Sequence, residues 1–229
     1  MHRAGPVPQR SESTPAGRLR TDFGQRRKTA MANDLRDPAR PRDPFFFGYG
    51  SLVNRATHDY PRALPARVRG WRRVWRHTRL RELAFLSVHP VPGAEIDGLV
   101  AAVPGADWAA LDLRERAYDR VALCPSTIEH RHPERLDVQL YRTSPAHESP
   151  PDARHPVLLS YVDTVAQGFL QMFGRNGAEA FFASTDGWEI AVIDDRAFPR
   201  YPRATALSAF ERGLVDQQLD RLGVERLRG

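Results

Sequence analysis

The first strong pattern in the chain is the apolar run Phe45-Phe46-Phe47, stopped by Gly48, which predicts a short buried strand. Behind it the stretches 66–76, 83–89, 95–103, 119–124 and 136–142 are short, rich in Val, Leu, Phe or Trp, and separated by turn residues. Each reads as a strand, and together they predict a curled sheet or a small barrel. The period then changes. Tyr161, Val165, Phe169 and Met172 recur at helical spacing, with Gly174 as the stop and Ser160-Tyr-Val-Asp163 reading as a capping box with Asp in place of Glu. Asn176 can cap a shorter helix carrying Ala178, Phe181 and Phe182. Ser208-Ala-Phe-Glu211 is a full capping box opening a last helix, 208–223, with Phe210, Leu214 and Leu222 on one side. Between the fourth and fifth strands, Asp107 caps a helix from Trp108 to about Ala117. Strands first and helices late predict an α+β fold, a small mixed β-barrel or curled sheet with flanking helices.

Two stretches lack such periodicity. Residues 1–44 hold six prolines and many arginines, and cannot offset their ordering entropy by burial, so a disordered leader is expected, with Met31 as an alternative start. The segment 143–156 has four prolines in fourteen residues, which predicts a loop. The remainder, 45–229, reads as a single domain.

Composition narrows the class. With 41% hydrophobic and 27% charged residues in 229, the chain can bury a core, and no apolar run reaches the roughly 20 residues of a membrane span, so no membrane partner is expected. The single cysteine, Cys124, allows neither an internal disulfide nor a cysteine zinc site, and it reads as a small core residue. A reducing, cytoplasmic location fits. The net charge of +6 sits in the leader: residues 1–30 carry seven basic and two acidic groups, leaving +1 for the other 199 residues. Lys28 is the only lysine among 34 basic residues, a coding bias toward arginine. Six arginines and two tryptophans fall within 69–81, a pattern a nucleic-acid surface would use. As a strand, however, Trp71 and Trp75 share one face and dock on the core, with the arginines on the outer face or rim, and no nucleic-acid partner is expected from a body of +1. His130-Arg-His132 supplies two candidate metal ligands without a third at a recognisable spacing, so it reads as a surface turn and no metal is expected.

Two features carry candidate chemistry. Gly48-Tyr49-Gly50-Ser51-Leu52 follows the first strand directly; glycines there permit positive φ and let backbone N–H groups face a ligand, either as an anion nest or simply as a tight turn. The pattern is neither a dinucleotide fingerprint, since Val53 stands at the third glycine, nor a Walker loop. The second feature is Glu115, which falls with Trp108 and Leu111 on one face of the expected helix. A carboxylate against apolar surface is disfavoured in its ionised form and suits proton exchange near neutrality; the competing reading is a solvated or ion-paired glutamate within Arg114-Glu115-Arg116.

Together these pieces resemble the γ-glutamylcyclotransferase family. Phe-Gly-Tyr-Gly-Ser-Leu at 47–52 is similar to its substrate loop, and Leu111-Asp-Leu-Arg-Glu115-Arg-Ala-Tyr118 to the segment bearing its catalytic glutamate, especially in the ChaC-type branch. Arg69-Gly-Trp-Arg-Arg73 and Asp97-Gly-Leu-Val100 look like family core strands, and Tyr161 followed by Gly168 matches a pattern in which the tyrosine lines the pocket. The likeness covers roughly 45–190. Departures are Leu52 where the mammalian general enzyme has Asn, and Ala117-Tyr118 in place of a Gly-Tyr step. The resemblance implies a cofactor-independent enzyme that cyclises a small γ-glutamyl substrate to 5-oxoproline. Glu115 would be the proton-transfer group, Tyr49, Gly50, Ser51 and Leu52 the substrate loop, and Tyr161 the clamp on the glutamyl end. Substrates it leaves open are glutathione, a γ-glutamyl amino acid, a γ-glutamyl amine or another γ-glutamyl metabolite. A non-catalytic γ-glutamyl-binding protein of the same fold is the alternative.

Overall fold

The computed structural model describes residues 42–78, 82–144, 148–149 and 155–229, the pair 148–149 by its backbone alone. The expected leader thus lies almost wholly outside the described residues, as does most of the 143–156 loop. Among the described residues the order is β1 (Phe45–Gly48), β2 (Leu64–Thr78), β3 (Phe85–Ala102), α1 (Ala109–Arg114), β4 (Tyr118–Ala122), β5 (Ile128–His130), β6 (Val138–Thr143) and β7 (Glu148–Ser149). Then follow β8 (Val157–Leu158), α2 (Leu159–Ala183), β9 (Thr185–Asp186), β10 (Val192–Asp194), α3 (Ala209–Arg221) and β11 (Arg226–Arg228). This is the expected α+β class.

The main sheet runs β4-β6-β1-β3-β2-β5, with β7 and β9 also pairing β2. The path has two ends, so the sheet is open and not a closed barrel. β1 is antiparallel to β3 and parallel to β6. An interior strand covered on both faces needs no polar alternation, which is why Phe45, Phe46 and Phe47 can all be buried. Phe46 meets His58 and Tyr60 edge-on, and Phe45 meets His132.

Two expected strands, 83–89 and 95–103, are one 18-residue strand, β3. The turn signals at Pro90, Pro92 and Gly93 mark an irregularity inside the β2–β3 hairpin: the register shifts between Arg69 and Trp71, opposite the prolines, which have no N–H to give the ladder. A second sheet, the parallel β11-β10-β8, has no counterpart in the hydrophobic pattern because its strands are two or three residues long.

The helices show two further differences. The capping box at Ser160 does not form; Leu158 is the N-cap, and Asp195 from a distant segment accepts the Ser160 N–H (2.8 Å) and Oγ–H (2.6 Å), while Asp163 pairs with Arg196. Gly174, at φ 70°, does break α2 into the two expected helical pieces. α3 keeps its reciprocal capping box between Ser208 and Glu211, yet its buried face is Leu214, Val215, Gln218 and Leu219, with Phe210 and Leu222 exposed. Cys124 is exposed and not a core residue, because β4 ends at Ala122 and Pro125 opens a 3₁₀ turn that swings it outward.

The arginine-rich strand β2 docks Trp75 in the core as expected, and Arg69 and Arg72 pair with Glu129 and Asp186. Arg73 departs from the outer-face expectation: it is fully buried, 4.9 Å from the Phe169 ring and 5.5 Å from that of Phe181, donating to the Asp97 carbonyl (3.0 Å) and Ser184 Oγ (3.1 Å). Burial pushes its pKa down to about 9, which leaves it charged at neutral pH. No helix among the described residues is long and apolar enough to cross a membrane.

Candidate active site

The loop after β1 is built by close approach. A 3₁₀ turn, Ser51–Val53, opens directly behind Gly50, and the leading N–H groups of such a turn have no acceptor within it. Neither Gly48 nor Gly50 has positive φ, contrary to the sequence expectation. Space is what favours the glycines: a Cβ on Gly48 would lie 2.6 Å from Leu52 Cβ, and one on Gly50 would fit tightly, 3.2 Å from the Tyr161 hydroxyl and 3.3 Å from Leu86 Cδ2.

Asn54 fixes the far end of the loop. Fully buried, it donates from Nδ2 to the Thr164 carbonyl and to Gln167 Oε1, both at 2.9 Å, and accepts from the Ala56 N–H at 3.0 Å. Gly168 makes this docking feasible, because a Cβ on it would lie 2.6 Å from Asn54 N. The same helix α2 therefore carries Tyr161 at one end and the anchor of the loop one to two turns later. His58 braces the turn from outside, with Nε2 to the Leu52 carbonyl at 3.0 Å, and burial lowers its pKa.

Glu115 is the C-cap of α1, not a residue on its apolar face; the helix stops at Arg114 and the chain turns into β4. The Tyr118 N–H donates to the Glu115 carbonyl at 2.8 Å within that turn. Of the two readings of Glu115, the ion pair is present: Arg114 Nε lies 3.1 Å from Oε1, and both side chains are largely shielded, at 8% and 15% exposure. Arg114 itself is held by the Thr57 carbonyl (3.0 Å) and by Ser51 Oγ and Thr57 Oγ1 (both 3.2 Å). One guanidinium thus ties the carboxylate to the glycine loop across 63 residues of chain.

These parts converge. A narrow inner pocket of about 30 Å³ is bordered by Tyr49, Gly50, Ser51, Leu52, Glu115 and Tyr161, all six residues singled out in the sequence, together with Leu86, Tyr118 and Tyr141. It adjoins a wider cavity of about 580 Å³, and Ser51, Glu115, Tyr118 and Tyr161 border both. Tyr49, Tyr141 and Tyr161 are held in their neutral form. Burial, then the charge or proximity of neighbours including Glu115, pushes Tyr49 and Tyr161 well above the ordinary tyrosine range. Tyr49 donates to the Tyr141 carbonyl (2.5 Å) and Tyr118 to that of Leu86 (2.8 Å), while Tyr141 donates to Asp112 and is likewise raised by burial and that carboxylate. Such a site offers one carboxylate, backbone N–H groups and neutral hydroxyls, a set suited to moving a proton beside a polar carbonyl. Among the described residues no three His, Cys, Asp or Glu side chains are grouped to hold a metal.

Sequence reasoning missed Asn54, Tyr118 and Tyr141 as parts of the site and read Arg114 only as a partner of Glu115. Tyr141 reaches it from an element remote in sequence, and Asn54, next to the loop, acts through partners 110 and 113 positions away; neither leaves a local signal. Arg114 had one, its adjacency to the glutamate, although not its reach to Ser51 and Thr57.

No family model and no curated protein matches the chain. Among solved structures, it is similar to one titled gamma-glutamyl cyclotransferase, at 13% identity over 76% of this chain and 99% of that one, with a TM-score of 0.49. It is similar to an uncharacterized protein from Homo sapiens at 14% identity over 77% and 99%, TM-score 0.48. A further likeness is to a gamma glutamyl cyclotransferase specific to glutathione from yeast, at 13% identity over 79% and 97%, TM-score 0.40.

Proposed function

We propose that the chain is a γ-glutamylcyclotransferase: it closes the γ-glutamyl end of a small substrate to 5-oxoproline and releases the amine it was joined to. The observation that carries this reading is the position of Glu115 on the border between the narrow tyrosine-lined pocket and the wide cavity. The reaction needs one group that faces both the attacking and the departing nitrogen.

The glutamyl end sits at the mouth of the inner pocket where it opens to the wide cavity, its α-carboxylate toward the backbone N–H groups of Tyr49 to Leu52 and its chain held by Tyr161. Glu115 takes a proton from the α-ammonium, freeing the nitrogen lone pair. That nitrogen attacks the γ-carbonyl carbon, and the negative charge that develops on the oxygen is met by loop N–H groups. The bond from the γ-carbon to the departing nitrogen then breaks as the proton on Glu115 passes to that nitrogen. The second proton of the attacking nitrogen, made acidic by its bond to the carbonyl carbon, follows by way of Glu115, so that the lactam keeps one N–H and the amine departs as an ammonium. Atoms and charge balance with no co-reactant. Because the nucleophile is tethered, holding the substrate folded supplies about 7–11 kcal/mol, and the proton transfers a further factor of about 10²–10⁴ in rate. Arg114 orients the carboxylate and keeps it off the bulk solvent.

The test is 5-oxoproline release from glutathione, γ-glutamyl-alanine and a γ-glutamyl amine by wild type and Glu115→Gln. Release by wild type, lost in the variant while 5-oxoproline still binds, is expected. Turnover retained in Glu115→Gln would refute the assignment of the proton-transfer group; a wild type that binds γ-glutamyl compounds without converting them would refute the enzyme in favour of a binding protein.

A further inference from the structure

The wide cavity has a composition unlike the inner pocket's. Its wall beyond Glu115 carries Arg116, Arg200 and Arg203, three exposed guanidiniums that form no ion pair among the described residues. Arg114, the fourth, is neutralised by Glu115. One acid, Glu82, lies on the opposing lining, so the cavity is cationic on balance. Several arginines elsewhere on this surface are spent on acids: Arg67 on Asp97 and Glu95, Arg69 on Glu129, Arg72 on Asp186, Arg196 on Asp163 and Asp216. What sets Arg116, Arg200 and Arg203 apart is that all three border one cavity.

The wall is also built. Asp195 is buried and unusually well used: its carboxylate accepts the Ser160 N–H and Oγ–H and the Arg200 N–H (2.8 Å). Ser160 Oγ in turn accepts the Tyr201 N–H at 3.3 Å, and the Tyr201 ring lies 4.9 Å from that of Tyr161. A buried carboxylate fully engaged by neutral donors and backbone fixes the segment that carries Arg200 and Arg203 against the start of α2, where Tyr161 borders the inner pocket. The arginine side chains are exposed, while the backbone at Arg200 and Tyr201 is held.

We infer that this cavity is the site of the departing half of the substrate, and that this half is peptide-sized and anionic, bearing two or more carboxylates that Arg116, Arg200 and Arg203 bind. The inference rests on the proposed cyclotransferase reading and names its substrate class. A volume of about 580 Å³ suits a ligand far larger than a simple amine. Planar forked guanidiniums match carboxylates in pairs of hydrogen bonds. Tyr201 and Tyr161 supply the apolar flank along which a peptide backbone would lie.

The experiment compares 5-oxoproline release by the full chain from γ-glutamyl-alanine amide, γ-glutamyl-alanine and γ-glutamyl-glutamyl-glutamate, whose departing halves carry none, one and three carboxylates. A rise in kcat/KM of about tenfold at each step is expected, which is about 1.4 kcal/mol each. In Arg200→Gln/Arg203→Gln the spread between the first and last substrate should collapse to a few-fold, and raising salt should narrow it in wild type. A general loss of structure would lower all three rates together and leave the ratio intact; that outcome, or a flat series in wild type, overturns the inference. Absence of turnover on every substrate overturns the cyclotransferase reading instead, and the subsite is then read by titrating Glu-Glu-Glu and Ala-Ala-Ala amide calorimetrically. Binding of the acidic peptide, weakened at least tenfold in the double variant, supports the anionic subsite; equal binding of the two peptides overturns it.

Discussion

Asn54→Ala isolates the contact that holds the candidate substrate loop to the core. The side chain is fully buried, and its Nδ2 satisfies two acceptors at once, the Thr164 carbonyl and Gln167 Oε1. Gln167 cannot turn to find another donor, because its Nε2 is committed to the Ala206 carbonyl (3.0 Å) and to Glu211 (3.2 Å). Truncation therefore strands Gln167 Oε1 at a cost of about 1–3 kcal/mol, while the Thr164 carbonyl, inside α2, keeps its helical partner. The Ala56 N–H that Asn54 Oδ1 accepts belongs to an exposed residue and can turn to water, so it adds little. A loss of about 1–3 kcal/mol follows, and with a urea m-value of about 2–3 kcal/mol/M the unfolding midpoint falls by about 0.5–1 M. Asn54→Asp sharpens the test. It keeps the shape and the accepted Ala56 N–H but turns a carboxylate oxygen onto two acceptors, so its penalty at neutral pH is at least as large. Its folded pKa would be raised, so stability is lost as pH rises above the ordinary carboxyl value and recovers as pH falls, when a protonated oxygen can donate again. Urea unfolding followed by tryptophan fluorescence measures both, with Arg55→Ala as an exposed control. A midpoint for Asn54→Ala equal to the control's would refute the reasoning.

Three other outcomes are expected. Gly168→Ala gains about 1 kcal/mol of helix propensity but drives a Cβ to 2.6 Å from the Asn54 backbone, a clash costing about 1–3 kcal/mol; net destabilisation in urea is expected, and a stabilised variant would refute the close approach. His58, whose pKa is lowered by burial, contributes stability that is complete above its unfolded value near 6.5 and is lost as pH falls below it. The slope is at most about 1.4 kcal/mol per pH unit, and it should flatten in His58→Gln between pH 6.5 and 5. Ser208→Ala removes the reciprocal cap of α3 and should cost about 1 kcal/mol, read as a shift of the urea midpoint; no shift would mean the box contributes nothing to the folded state.

What the sequence determined was everything whose cause is local. The triple phenylalanine strand, the period change to helices, the break at Gly174 and the capping box at Ser208 each depend on residues within a few positions of one another, and all four are present. The six candidate site residues could be picked out the same way, as a glycine loop, a glutamate between arginines and the first tyrosine of a helical stripe. Their joining in one pocket could not. It depends on Gly168 letting α2 close on Asn54, and on Arg114 reaching from α1 back to Ser51, contacts across 114 and 63 positions that leave no periodic trace. The same holds for Ser160, where a remote Asp195 displaced the local cap, and for Arg73, where two rings from α2 made a buried place for a charge that the strand pattern assigned to solvent. Short-range patterning selects elements because hydrogen bonding and burial along one segment repay themselves there. Only the tertiary structure decides which polar groups meet, since a buried donor takes whichever acceptor the packing brings to it.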